Sequence, residues 1–144
     1  MTALLDVNVL IALAWPNHVH HEAARRWFTA NREDGWATCP LTEAGFVRVS
    51  CNSSVVRHTV TLAEAIALLH RLRQLESHTF WSLDRSLTDL PQQIVNRLQG
   101  YRQITDAVLL AAAIQRRGTL VTLDSGLARL VDERGRHSVR VIPV

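Results

Sequence analysis

The sequence predicts an α/β fold: a five-stranded parallel sheet with helices on both faces, formed by residues 1–144 as one domain. Three observations predict it. Short apolar or β-branched runs alternate with segments of helical period along the whole chain, which implies βαβ crossovers. A chain of 144 residues with 47% hydrophobic content is long enough for one core. Acidic residues stand where strands have just ended or helices just begin, the edge at which open parallel sheets bind ligands.

The first strand is the run Ala3-Leu4-Leu5, ending at Asp6. Val7 to Trp15 reads as a short apolar helix broken by Pro16-Asn17. His20 to Asn31 places Ala23, Ala24, Trp27 and Phe28 at helical spacing. Asp34-Gly35 is a turn, and Trp36 to Cys39 is the second strand, closed by Pro40. Thr42-Glu43 opens a helix with Phe46, Val47 and Val49 on its apolar side, interrupted by Asn52-Ser53-Ser54. Thr61-Leu62-Ala63-Glu64 matches a capping box and starts a helix running to about Glu76. Thr79 to Leu83 is the third strand, and Pro91 to Leu98 is helical. Ile104-Thr105-Asp106 leads into an almost wholly apolar helix, Ala107 to Arg117, stopped by Gly118. Thr119 to Leu123 is the fourth strand, Ser125 to Val131 a short helix, and Val139 to Ile142 the fifth strand.

Composition excludes several classes. No segment is apolar for long enough to span a membrane, and the first residues lack a basic region, so the expectation is a soluble, cytoplasmic protein. Cys39 and Cys51 form no CxxC pair and read as reduced, buried thiols. His18, His20 and His21 cluster at a helix start without a further zinc ligand set. All 16 basic residues are arginine and the net charge is +3, a mild bias compatible with a polyanionic substrate.

Four acids stand out: Asp6, Glu43, Asp106 and Asp124. Each alone has a simple structural role, as a helix cap, a first-turn acid or a turn former. Together, at one sheet edge, they repel each other and lose solvation unless a cation neutralises them. A set of oxygen ligands without His or Cys selects Mg²⁺ or Mn²⁺ over zinc.

Four blocks then carry a resemblance: Leu4-Leu5-Asp6-Val7-Asn8-Val9-Leu10-Ile11; Thr42-Glu43-Ala44-Gly45-Phe46-Val47-Arg48; Ile104-Thr105-Asp106-Ala107-Val108-Leu109-Leu110-Ala111-Ala112-Ala113; and Leu120-Val121-Thr122-Leu123-Asp124-Ser125-Gly126-Leu127. In this order they resemble the signature blocks of PIN-domain ribonucleases, in particular the VapC toxins of bacterial toxin–antitoxin modules. The resemblance implies a PIN-like five-stranded parallel sheet and Mg²⁺- or Mn²⁺-dependent hydrolysis of RNA, such as tRNA or rRNA, to 5′-phosphate and 3′-hydroxyl ends. By position it implies that Asp6, Asp106 and Asp124 hold the metal and that Glu43 completes the acidic set. Asn8 matches a small polar residue beside the first aspartate, and Thr105 and Thr122 flank the pocket. It also implies a VapB-like antitoxin whose tail places a basic side chain among the acids, and a homodimer.

Arg48, just over one helical turn beyond Glu43, and Arg102, ahead of Asp106, are candidates for phosphate contact; Arg116 and Arg117 read as helix-end charges. Trp15, Trp27, Phe28 and Phe46 read as core residues. A phosphoacceptor receiver domain would need a lysine, and the chain has none. A haloacid-dehalogenase phosphatase would need Asp-x-Asp at the first strand, where Asn8 stands. The remaining alternative is a non-catalytic PIN-like module that binds RNA or protein without cutting.

Overall fold

Five short strands define the scaffold: β1 (Ala3–Leu5), β2 (Trp36–Thr38), β3 (His78–Phe80), β4 (Thr119–Thr122) and β5 (Val139–Val141). In the computed structural model, which describes residues 1–144, they form one all-parallel sheet in the order β3-β2-β1-β4-β5. Seven α-helices connect them: α1 (Val7–Ala14), α2 (His21–Asn31), α3 (Pro40–Ser50), α4 (Ser53–Val56), α5 (Leu62–Arg73), α6 (Gln92–Val95) and α7 (Ile104–Gln115).

Side chains alternate across a strand, and this alternation builds two core layers. Leu4, Ala37 and Leu120 face α7 and pack on Ala107, Leu109, Leu110 and Ala113. Ala3, Leu5, Trp36 and Val121 face the other way, onto Val9 and Leu10 of α1, Phe28 of α2, Phe46 of α3 and Leu69 of α5. Leu4, Leu5 and Leu120 are fully buried, each worth about 2–3 kcal/mol relative to exposure. The central strands β1 and β4 are covered by core on both faces, and Asp6 and Asp124 lie just beyond their ends. Trp15, Trp27, Phe28 and Phe46 all pack in the second layer. Cys39 is buried and Cys51 half-buried, both as free thiols.

Several boundaries differ from the sequence expectation, each for a physical reason. Helix α3 starts at Pro40 rather than Thr42. Cys39 is its N-cap, proline fits the first helical turn, and Thr42 Oγ1 accepts from the Cys39 N–H at 2.9 Å. Strand β3 ends at Phe80 instead of running to Leu83. Its sole sheet neighbour, β2, stops where α3 begins, so Trp81 makes one last bond to Thr38 O and turns inward. Helix α6 is a single turn, and Ser125–Leu130 is 3₁₀ rather than α. At the end of α7 the left-handed residue is Arg117 (φ +55°), not Gly118. Gly118 is needed for space: a Cβ there would lie 2.6 Å from the Thr2 carbonyl and 2.8 Å from the Trp81 ring.

Candidate active site

The C-terminal ends of β1 and β4 lie side by side, and each delivers an aspartate. Asp6 follows β1 directly, is buried and caps α1. Its Oδ1 accepts from the Val7 N–H at 2.7 Å and its Oδ2 from the Thr122 hydroxyl at 2.7 Å. Asp124 follows β4 after one residue, is exposed, and turns the chain by accepting the Gly126 N–H on Oδ1 at 2.8 Å. Asp106 comes from the first turn of α7, the helix packed beneath both strands.

Thr122 ties two of these acids together. It is fully buried and uses its whole bonding capacity. Its one proton goes to Asp6, and its oxygen accepts from the Asp124 N–H at 3.0 Å and the Asn8 amide at 3.2 Å. Asn8 in turn accepts from the Leu123 N–H at 3.0 Å. Asn8 and Thr122 are thus the frame of the site. Thr105, by contrast, is exposed on the first turn of α7 and makes no hydrogen bond to any aspartate.

The electrostatics are those of three crowded anions. Burial pushes the Asp106 carboxyl up to about 6, with further upward pressure from Asp6 and Asp124. Burial also raises Asp6, against the hydrogen bonds from Thr122 and Val7, which pull down, and with Asp124 adding to the rise. No arginine pairs with any of the three; the chain's two ion pairs are Arg25–Glu22 and Arg73–Glu43. As they stand, no three acidic, histidine or cysteine side chains are grouped closely enough to hold a metal ion. The donor set is nonetheless suited to a hard divalent cation. All its atoms are carboxylate oxygens, both Asp106 oxygens lack a protein donor, and a cation would relieve the burial and repulsion that raise Asp6 and Asp106.

Glu43 stands one lane away, over β2 and β3. Its contacts are with Thr38 and Arg73, with His78 behind Thr38. The Thr38 hydroxyl meets Glu43 Oε2 at 2.7 Å, His78 Nε2 lies 2.8 Å from that hydroxyl, and Arg73 Nε lies 3.6 Å from the same Oε2. Arg48 is exposed on α3 without an ion pair, and Arg102 is exposed beside the Tyr101 ring. Arg116 stacks on Trp81 and donates to Ser82 O at 2.9 Å, as suits a helix-end charge.

The sequence reading missed Thr38, His78 and Arg73. One signal was present: Thr38 is a polar residue near the end of a buried apolar run, as Thr122 is in β4. His78 and Arg73 had none, because only strand pairing and α5 packing bring them to Glu43.

The PIN-domain family model matches residues 3–133. The chain is 49% identical over 142 residues to Ribonuclease VapC38 of Mycobacterium tuberculosis, covering 99% of both chains. It is 52% identical over 128 residues to Ribonuclease VapC39 of the same organism, covering 89% of this chain and 92% of that one. With Ribonuclease VapC44, also from M. tuberculosis, the identity is 44% over 128 residues, with 89% of each chain covered.

Proposed function

This chain belongs to the PIN-domain family, and we propose that it is an endoribonuclease of the VapC toxin type, a single domain over residues 1–144. The substrate we assign is structured RNA such as tRNA or rRNA, and the cofactor Mg²⁺ or Mn²⁺. The observation that carries this reading is the placement of Asp6, Asp106 and Asp124 around the adjoining ends of β1 and β4, none paired to an arginine, with Asp6 and Asp106 raised in pKa by burial and by neighbouring carboxylates. Relatives named as ribonucleases over the full chain length support the substrate class.

Asp6, Asp106 and Asp124 would hold the cation. When bound, such an ion supplies neutralisation of phosphate charge and a lowered pKa for a coordinated water. Thr122 and Asn8 keep Asp6 and the Asp124 backbone in register with each other. Glu43 orients the attacking water and takes up its proton. In-line attack on phosphorus forms the new P–O bond and breaks P–O3′, and the departing O3′ takes a proton from solvent, leaving a 5′-phosphate and a 3′-hydroxyl without a covalent enzyme intermediate. Arg48 and Arg102, both exposed, contact the RNA backbone.

The family resemblance further supports a VapB-like antitoxin partner, a homodimer and a cytoplasmic setting. No helix is long and apolar enough to cross a membrane.

The test is incubation of the purified chain with total bacterial RNA and Mg²⁺ or Mn²⁺, followed by sequencing of new 5′ ends. The expected result is discrete 5′-phosphate ends that vanish with EDTA and with Asp106→Asn. RNA binding without metal-dependent ends would sink the enzyme assignment in favour of a non-catalytic binding module.

A further inference from the structure

We propose that Thr38 and His78 are positioning residues, a hydrogen-bond relay across β2 and β3 that aims the Glu43 carboxylate at the reacting water. The inference rests on the role given to Glu43 above and deepens it by assigning two residues outside the acidic set.

Chemistry fixes the direction of the relay. An ionised carboxylate only accepts, so the single Thr38 proton must point to Glu43 Oε2, 2.7 Å away. With that proton committed, Thr38 Oγ1 faces His78 as an acceptor, and His78 Nε2 must carry the proton across the 2.8 Å contact. Burial, and then the nearby Arg73 charge, push the His78 ring down in pKa against the pull of Glu43, so the neutral Nε2–H form is the one favoured. Each donor in such a chain strengthens the next.

The parts are held stiffly. Thr38 is buried at the last position of β2. His78 pairs with Trp36 in the parallel register, and its ring meets the Trp36 ring edge-on at 4.6 Å. Trp36 is itself pinned by its indole N–H to Glu76 O at 3.0 Å. The second hold on Glu43 comes from Arg73, whose guanidinium lies over the Phe80 ring at 5.2 Å and reaches Oε2 at 3.6 Å. Both holds fall on Oε2, and Oε1 has no protein donor. A carboxylate gripped by one oxygen presents the other in a fixed direction, as a water-orienting group requires. A merely filling role at position 38 would not need a hydroxyl.

The experiment measures kcat and KM on a synthetic oligoribonucleotide spanning a cut site mapped with the wild-type protein, with thermal melts run in parallel. Thr38→Val keeps the shape and deletes the hydroxyl. His78→Phe keeps the ring contact with Trp36 and deletes the N–H. Each is expected to lower kcat about 10- to 100-fold with KM within about twofold. Thr38→Ser and His78→Gln, which restore a hydroxyl and a donor, should recover most of the loss. On a Glu43→Ala background, Thr38→Val should add nothing, because the relay acts only through Glu43. Wild-type cleavage with Thr38→Val and His78→Phe at the parental kcat would overturn the relay alone. An additive loss on the Glu43→Ala background would also overturn it, as a general packing defect. Absence of metal-dependent cleavage by the wild type would remove the enzyme reading and the relay together.

Discussion

Asp106 has no hydrogen-bond donor in the chain, whereas Asp6 has two, Val7 N–H and the Thr122 hydroxyl. The two aspartates are therefore expected to respond differently to deletion in stability, although on the proposed mechanism loss of either should remove cleavage. The Asp106 carboxyl, pushed from 3.8 to about 6, binds a proton more tightly in the folded chain than in the unfolded one. The resulting penalty on folding is absent below 3.8, grows through the window up to about 6 and is complete above it. Full conversion of that displacement gives about 3 kcal/mol. Asp106 is only half-buried, and solvent screening reduces this to about 1 kcal/mol. Asp106→Asn at pH 7.5 in EDTA should therefore raise Tm by about 3 °C, and the gain should disappear near pH 4. Asp6→Ala should lower Tm, because it strands two donors at a cost of about 1–3 kcal/mol. Melts of both variants across pH, beside cleavage assays, check this; a fall in Tm for Asp106→Asn at pH 7.5 would contradict the repulsion account. Asp6 and Asp124 were legible in the sequence because the signal is local: an apolar run, then an acid. The full bonding of Thr122 was not, since two of its partners, Asp6 and Asn8, are over 100 residues away.

At the level of elements, the separation of Glu43 from the aspartates depends on how closely α3 lies against α1. Gly45, half a turn beyond Glu43, sets that distance: a Cβ there would lie 2.5 Å from Val7 Cγ2. Val7 is β-branched and stiff, and it follows Asp6 directly, so relief of this clash moves the α1 start and its aspartate. Gly45→Ala gains about 1 kcal/mol of helix propensity and loses about 1–3 kcal/mol to overpacking. The expected net result is a small drop in Tm with a disproportionate fall in kcat, read by comparing melts with single-turnover cleavage. A variant with wild-type kcat would show that the α1–α3 distance does not govern the site. Element type was read well wherever a strand or helix had two flanking layers, as for β1, β4 and α7. It was read poorly at the end of edge strand β3 and in the segment after β4. Nothing in Thr79-Phe80-Trp81-Ser82-Leu83 says that β2 ends opposite Phe80, and the 3₁₀ turns after β4 share the helical hydrophobic spacing. Of the four acids, Glu43 is additionally held by Arg73 of α5 and, through Thr38, by His78 of β3, contacts that local pattern cannot place.

For the molecule as a whole, folding and cation binding are expected to be linked. The ends of β1 and β4 and the start of α7 bring three anions near one another, and the surrounding chain supplies no arginine to pair with them. A ligand that binds the folded chain and not the unfolded one stabilises it by about 2.7 kcal/mol at a hundredfold excess over Kd. For a chain of this length that corresponds to about 8 °C in Tm. Mn²⁺ or Mg²⁺ titrated into the metal-free protein at pH 7.5 should raise Tm to this extent, saturably, and EDTA should reverse it. Protons compete for Asp106, whose carboxyl burial and the neighbouring aspartates push up to about 6, so the same titration at pH 5 should give a smaller rise at every cation concentration. On the proposed site Asp106→Asn removes a ligand and much of that competition, so its response should be weaker and flatter across pH. Glu43→Gln, which leaves the three aspartates intact, should retain most of the shift while lowering kcat to a small residual rate. An equal rise in Tm for wild type and for a double Asp6→Asn, Asp106→Asn variant would place the cation elsewhere and detach the metal from this edge of the sheet.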